Sequence, residues 1–217
     1  MIDFNKLSGE QIKLAKKVIL KDSFDKLELV AGADNAYNQD DVISAVVVCD
    51  YRTMEVKEKV FTVAKANVPY SAGFLAYKEG PAISEAFAKL LNKPDVMIFD
   101  GNGILHPRRF GLASHMGVLL DMPSIGVAKQ LLLGESKESK IYVEKELRGE
   151  IVESREHSKP LFVSPGHKIS LKTSVEIVKA CLKFPHKLPE PLHLAHRYAN
   201  EIRDKIAKGT IKAEAKS

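Results

Sequence analysis

The chain has 217 residues, 45% hydrophobic and 28% charged, with a formal net charge of +5. That mix excludes a disordered or fibrous chain and suits a single domain spanning 1–217. No apolar run approaches the ~20 residues of a membrane span. The start, MIDFNKLSGEQ, lacks the basic-then-apolar pattern of a secretory leader, so a cytoplasmic protein with no membrane association is expected.

The two cysteines, Cys49 in ISAVVVCDY and Cys181 in VEIVKACLKF, sit in apolar surroundings without CxxC spacing. They read as buried thiols in a reducing compartment. The mildly basic balance favours an anionic partner only weakly. Part of that charge lies in the end KGTIKAEAKS, a tail expected to fray from about residue 208.

In chain order, Ser8 is a candidate cap for a first helix over about Gly9–Leu20, with Ile12, Leu14, Ala15, Val18 and Ile19 at helical spacing. Strands follow at about Leu27–Asp34, Val42–Tyr51 and Val56–Ala64, rich in β-branched residues. Their short connections predict an antiparallel meander. Pro69 and Gly73 mark a loop. A helix is expected to begin near Gly80-Pro81, since proline suits a first helical turn.

VMIFDG, bounded by Pro94 and Gly101, is too short for a helix and reads as a buried strand. A helix from about Arg109 to Leu120 and a buried strand PSIGVAK come next. Weaker strands follow near GEIVES and KPLFVSPG. Ser170 then caps a helix through Val175, Val178, Cys181 and Leu182, and a last helix spans about Pro191–Ile206. This is a mixed α/β order, three antiparallel strands followed by parallel ones with flanking helices. By analogy it is the order of the ribonuclease-H-like fold, which does not by itself fix a function.

Three carboxylates stand out by position. Asp34 ends the first strand, Asp100 ends the fourth, and Glu79 opens the helix after the meander. Taken singly, each reads as a turn residue or a first-turn helix carboxylate. If the first and fourth strands are neighbours, Asp34 and Asp100 sit side by side and Glu79 can reach them. Like charges so placed repel unless a cation neutralises them. Magnesium prefers oxygen ligands, and one ion, or two about 4 Å apart, would suit phosphate hydrolysis.

The segment DGNGILHPRRFGLASHMG adds two glycines, Gly101 and Gly103, that let backbone approach a ligand, then His106, Arg108 and Arg109. Such groups suit a phosphodiester held beside a metal, the arginines positioning phosphate rather than reading bases. The segment is not a nucleotide loop, since neither GxGxxG nor GxxxxGK[ST] occurs. His115, inside a helix, reads as a core group. Lys129, after PSIGVA, reads either as a strand-end lysine reaching water or as a charge aimed at phosphate.

Residues 95–129, DVMIFDGNGILHPRRFGLASHMGVLLDMPSIGVAK, resemble the central block of the endonuclease V family. VAGADNAY, VPYSAGFLAYKEGP and LPEPLHLAHRYANE resemble flanking segments of the same family, so the likeness runs from about Leu29 to Arg203. The resemblance implies a ribonuclease-H-like fold and magnesium- or manganese-dependent hydrolysis of DNA containing deaminated bases. Cleavage would fall at the second phosphodiester 3′ to inosine. By matching position, Asp34, Glu79, Asp100 and His196 would hold the metal. His106 and Lys129 would orient phosphate, and Tyr70 would wedge into the base stack.

Two features depart from the family pattern. Pro-Tyr-Ser-Ala stands where the family often has Pro-Tyr-Ile-Pro, and His193 lies three residues before His196, a rival on the same helix face. A deaminated base pairs weakly and is cheaper to extrude. Gly101 and Gly103 are expected to admit it, so that valine at either position erodes inosine selectivity. Alternatives are an endoribonuclease acting on inosine-containing RNA and a non-catalytic binding module, which would tolerate loss of the carboxylates. A monomer is expected.

Overall fold

The computed structural model describes residues 2–155 and 158–211. Most of the tail expected to fray therefore lies outside the described residues. The described residues form helices α1 (Phe4–Ala15), α2 (Leu75–Ala88), α3 (Leu112–Leu120), α4 (Leu171–Ala180) and α5 (Glu190–Ala207). Strands are β1 (Leu29–Asn38), β2 (Asp41–Asp50), β3 (Val56–Lys65), β4 (Val96–Asp100) and β5 (Ser124–Ala128). They continue with β6 (Glu135–Lys137), β7 (Lys140–Val143), β8 (Glu146–Val152) and β9 (Leu161–His167).

All nine strands join one sheet in the order β3-β2-β1-β4-β5-β9-β8-β7-β6. The first three are the expected antiparallel meander, and β4 adds parallel to β1 with Val30 opposite Val96 and Ala33 opposite Phe99. β5 continues parallel to β4. This half has the ribonuclease-H-like order. The second half is an antiparallel extension in which β6 and β7 had no sequence signal, because ESKESKIYV carries no apolar alternation.

Alternation along each strand sorts the core into two layers. Val30, Val96, Ile98, Ile125 and Val127 point to one face, covered by α4 and α5. Ala31, Ala33, Met97 and Phe99 point to the other, covered by α2 and α3. Phe99, Met97, Ile98 and Ile125 are fully buried, each burial contributing roughly 1.5–3 kcal/mol. Both cysteines are free and buried in the first layer. Among the described residues, no helix is long and apolar enough to cross a membrane.

Three helix starts differ from expectation. Asp3, not Ser8, caps α1: its Oδ1 accepts from Asn5 N at 3.0 Å and Lys6 N at 3.1 Å, so the helix starts and ends earlier. Ile12 and Ile19, expected on its buried side, are exposed. α2 begins at Leu75, leaving Pro81 inside the helix. Packing of Ala76, Ile83 and Ala86 against the sheet overrides the one backbone bond that an interior proline forfeits. α3 starts at Leu112 because its approach is still loop: Gly111 N donates to Gly103 O and Ala113 N to Asn102 O, each at 3.0 Å. Ser170 caps α4 as expected, accepting from Thr173 N at 3.2 Å.

Candidate active site

Strand parity builds the site. Val30 and Gly32 face α5, so Asp34 does too; Val96 and Ile98 share that face, so Asp100 does too. The β1–β4 pairing ends at Ala33 opposite Phe99, which puts Asp34 and Asp100 next in register on adjacent strands. β1 does not end at Asp34, as expected, but runs on to Asn38. On β5, Val127 lies opposite Asp100, and Lys129, two residues further and of the same parity, reaches back: its Nζ is 2.5 Å from Asp100 Oδ2.

α5 completes this side. His196 Nδ1 lies 2.6 Å from Asp34 Oδ2, while Asp34 Oδ1 accepts from Asn35 N at 2.8 Å. The hydrogen bond from His196 to Asp34 raises the histidine's pKa, with the carboxylate's charge adding to it. The rival His193 instead stacks on His186 with ring centroids 3.6 Å apart, and its Nε2 has no partner among the described residues. The geometry therefore joins His196, and not His193, to the acidic group.

Glu79 comes from the opposite face. Asn35 and Tyr37, the next two residues of that parity on β1, both hold it: Asn35 Nδ2 donates to Oε2 at 2.9 Å and the Tyr37 hydroxyl donates to Oε1. Because α2 starts early, Glu79 is a buried second-turn residue and not a solvated first-turn one. Burial pushes its pKa up to about 7, and the charges of Asp34 and Asp100 push the same way. Asp100 is likewise raised, first by burial and then by Asp34, with Lys129 and His196 opposing. Burial works to lower the Lys129 pKa, but Asp100 outweighs it and the ammonium is held protonated.

A carboxylate whose folded pKa lies above its unfolded value opposes folding once it ionises. The cost of ionising Glu79 in the fold is absent below its ordinary value of 4.5 and grows to about 3 kcal/mol by pH 8. Glu79→Gln is therefore expected to raise the melting temperature at pH 8 and to leave it nearly unchanged at pH 4.5. Paired thermal melts check this.

Three buried or half-buried carboxylates gathered at one place, with the pKa of Glu79 and Asp100 raised there and no matching number of cations, are the donor set a hard divalent cation fits. Among the described residues no three Asp, Glu, His or Cys side chains already form a ready cage. Each acid is held by its own internal partner, so ligation would exchange His196, Lys129 and Tyr37 contacts for metal contacts.

Beside the acids lies a pocket of about 120 Å³, lined among others by Ser71, Ala72, Gly101, Asn102, Leu112 and Leu132. Tyr70, 71% exposed, stands at its rim. Gly101 lines it, but Gly103 does not: its N–H donates to Ser164 Oγ at 2.9 Å and it packs against the Pro165 backbone. Valine at Gly103 would thus break packing and not test the pocket. Asn102 and Leu132 were missed in the sequence; Leu132 follows the last strand of the parallel set, where ligand clefts of open sheets form.

The segment after Gly103 is placed differently from expectation. His106 is 3% exposed, with Nε2 3.1 Å from Gly73 O and Nδ1 accepting from Arg108 N at 3.2 Å. Those partners assign a neutral Nε2–H tautomer, and burial lowers its pKa to about 4. Both ring nitrogens contact backbone, so His106, which lines the pocket, would have to exchange one of those contacts to orient phosphate. Arg108 is committed to Gln11 and Gly73, and Arg109 pairs with Glu146 at 2.8 Å while staying half-exposed. His115 packs edge-on against Tyr77 at 5.2 Å, a core group with its Nδ1 unpartnered among the described residues.

The family model described as Endonuclease V matches residues 12–197. An Endonuclease V of Dictyoglomus thermophilum is 43% identical over 210 residues, 93% of this chain and 91% of that protein. The crystal structure of Endonuclease V from Bacillus subtilis superposes with a TM-score of 0.88 at 33% identity, covering 96% of this chain and 95% of that one. Endonuclease V of Ciona intestinalis, solved with a 23mer DNA containing an inosine followed by a ribo-adenosine, gives 0.86 at 32% identity, covering 95% and 100%. On its sheet order, its acidic centre and these likenesses, the chain belongs to the endonuclease V family.

Proposed function

We propose that this protein is a magnesium- or manganese-dependent endonuclease of DNA repair. It would recognise inosine, extruded from the stack, and hydrolyse the second phosphodiester on its 3′ side. The observation that carries the proposal is the convergence of Asp34, Asp100 and Glu79 from two faces of the sheet, beside a pocket rimmed by Tyr70. The inosine-containing DNA bound by the Ciona protein supports the substrate class.

Asp34, Asp100 and Glu79, with His196, would hold the metal, which when bound supplies Lewis-acid stabilisation of phosphate charge and lowers the pKa of attacking water. Lys129, kept cationic beside Asp100, meets charge developing on the phosphate. Glu79 can ligate only when ionised, so the metal competes with its proton and metal affinity is expected to rise as pH approaches 7. A water oxygen joins the phosphorus as the bond to the 3′ oxygen breaks, leaving a 5′-phosphate and a 3′-hydroxyl. The pocket takes the base, Tyr70 fills the space it leaves, and Arg109 at the rim offers charge to the backbone.

A second reading, an endoribonuclease acting at inosine in RNA, is favoured by one observation: in two Ciona complexes the inosine is followed by a ribo-adenosine. End-mapping of cleavage on matched DNA and RNA strands, each with one inosine, separates the two. The expected product ends one nucleotide past the inosine's own 3′ neighbour bond. Cutting confined to RNA replaces the DNA reading, and cutting at scattered positions overturns both. Metal binding has its own readout: saturating magnesium or manganese is expected to raise the melting temperature by about 5–10 °C at a hundredfold excess over Kd. Asp34→Ala is expected to remove that shift.

A further inference from the structure

The carbonyl oxygen of Gly73 accepts from three donors drawn from distant parts of the chain. Gln11 Nε2 lies at 3.1 Å, His106 Nε2 at 3.1 Å and Arg108 Nη2 at 2.7 Å. Gln11, 1% exposed, uses its other end as well: Oε1 accepts from Arg108 Nε at 2.5 Å. The Arg108 guanidinium also lies over the Phe74 ring, 4.3 Å from its centroid.

One face of α1 is spent on this contact. Phe4 packs on Phe74 at 5.1 Å, the Leu7 carbonyl accepts from the Tyr77 hydroxyl at 3.1 Å, and Gln11 reaches Gly73. These three positions follow i, i+3, i+7 spacing. They grip a turn closed by Phe74 N donating to Ser71 O at 3.0 Å, with Gly73 in the left-handed region at φ +78°. A Cβ at Gly73 would stand 2.8 Å from Arg108 Nη2, so the left-handed conformation and the crowding both favour glycine.

Tyr70 projects directly before this turn. A ring that must enter a stacked duplex loses force if its loop yields instead, and preordering the loop removes that cost. This chain lacks the isoleucine and proline expected to stiffen the loop from within, having Ser71-Ala72 there. The stiffness comes from outside.

We propose that Gln11 and Arg108 are positioning residues for the Tyr70 loop. α1 clamps the turn so that the aromatic ring meets nucleic acid already ordered, and preference for inosine within a duplex depends on that clamp. This rests on the reading of Tyr70 as the wedge.

Hydrogen exchange on the full chain tests the clamp without substrate. Gln11→Met, which keeps the shape and removes both polar ends, is expected to speed exchange across residues 70–74 about tenfold and leave β4 unchanged. Gln11→Glu keeps the acceptor for Arg108 but sets a carboxylate against the Gly73 carbonyl, and is expected to do the same; it decides the matter if the Met variant does not fold. Single-turnover cleavage then reads the consequence: the ratio of duplex to single-strand rates at inosine is expected to fall about fivefold or more, because only the duplex demands full opening of the stack. Unchanged exchange overturns the clamp. Faster exchange with an unchanged ratio overturns its link to lesion preference. Wild-type protein without inosine preference refutes the functional reading, while the exchange result still judges the clamp.

Discussion

Asp34→Ala is expected to lower the cleavage rate about a thousandfold or more while leaving binding to inosine-containing DNA intact. Losing a single group that stabilises transition-state charge costs about 10²–10³ in rate, and Asp34 is asked for more, since it anchors both a metal position and His196. Binding runs the other way. Removing one carboxylate makes the cleft more positive, so affinity for a polyanion stays level or rises. The pKa of Glu79 is also expected to fall in this variant, because Asp34 is one of the charges raising it. Burst-free single-turnover rates and a binding titration in chelator check the two halves separately. Surviving cleavage would remove Asp34 from the metal set; lost binding would mean that the residue acts through the fold.

Gly32→Ala is expected to lower the melting temperature by about 6–12 °C. A Cβ at Gly32 would stand 2.3 Å from the Pro191 carbonyl carbon and oxygen and 2.4 Å from Leu192 N. Those are backbone atoms at the start of α5, so no side chain can swing aside and the helix itself must move. Overpacking of this kind costs about 3 kcal/mol, and each kcal/mol lowers the midpoint by about 2–4 °C in a chain of this size. The consequence reaches the site. Gly32 and Asp34 share a strand face, and α5 carries His196 onto Asp34. Displacing the helix weakens that bond, so the His196 pKa should drop toward its ordinary value. An NMR titration of the His196 ring alongside the thermal melt checks this. A stable variant with an unshifted His196 would contradict the close seating of α5 on β1.

Where the sequence was legible, local chemistry and tertiary structure agreed. ISAVVV and VMIFDG, bounded by turn residues, can only be short buried strands, and their order sets Asp34 beside Asp100 once β1 and β4 pair. Ser170 caps its helix because its hydroxyl is the nearest acceptor for an orphan N–H. Legibility failed where distant contacts overrode local preference. Pro81 suits a helix start, yet α2 begins at Leu75 because its apolar face is needed against the sheet. β6 is short, charged and exposed at the sheet's edge, and β7 is four residues with one fully buried side chain, Ile141, so no periodicity marks them.

The candidate site divides in the same way. The acids and Lys129 were recognisable by type and position, and His196 through the family resemblance. His106 and Arg108 were recognisable as polar groups near the site, but their partners were not: Gly73 and Gln11 lie 33 to 97 residues away in sequence. One signal for Gln11 existed, a polar residue on the same helical stripe as Phe4 and Leu7. It was hidden by reading the stripe one face over, through Ile12 and Ile19, both of which meet solvent.

On the proposed reading, Asp34, Asp100 and Glu79 would bind a divalent cation beside a pocket for an extruded base. The most direct test is the cleavage rate of one labelled strand carrying inosine against the same strand carrying guanosine, with magnesium and with chelator. A single cut on the inosine strand, dependent on the metal, is expected, with the guanosine strand largely spared. Cleavage that persists in chelator would contradict the metal assignment, and equal cutting of both strands would contradict the pocket.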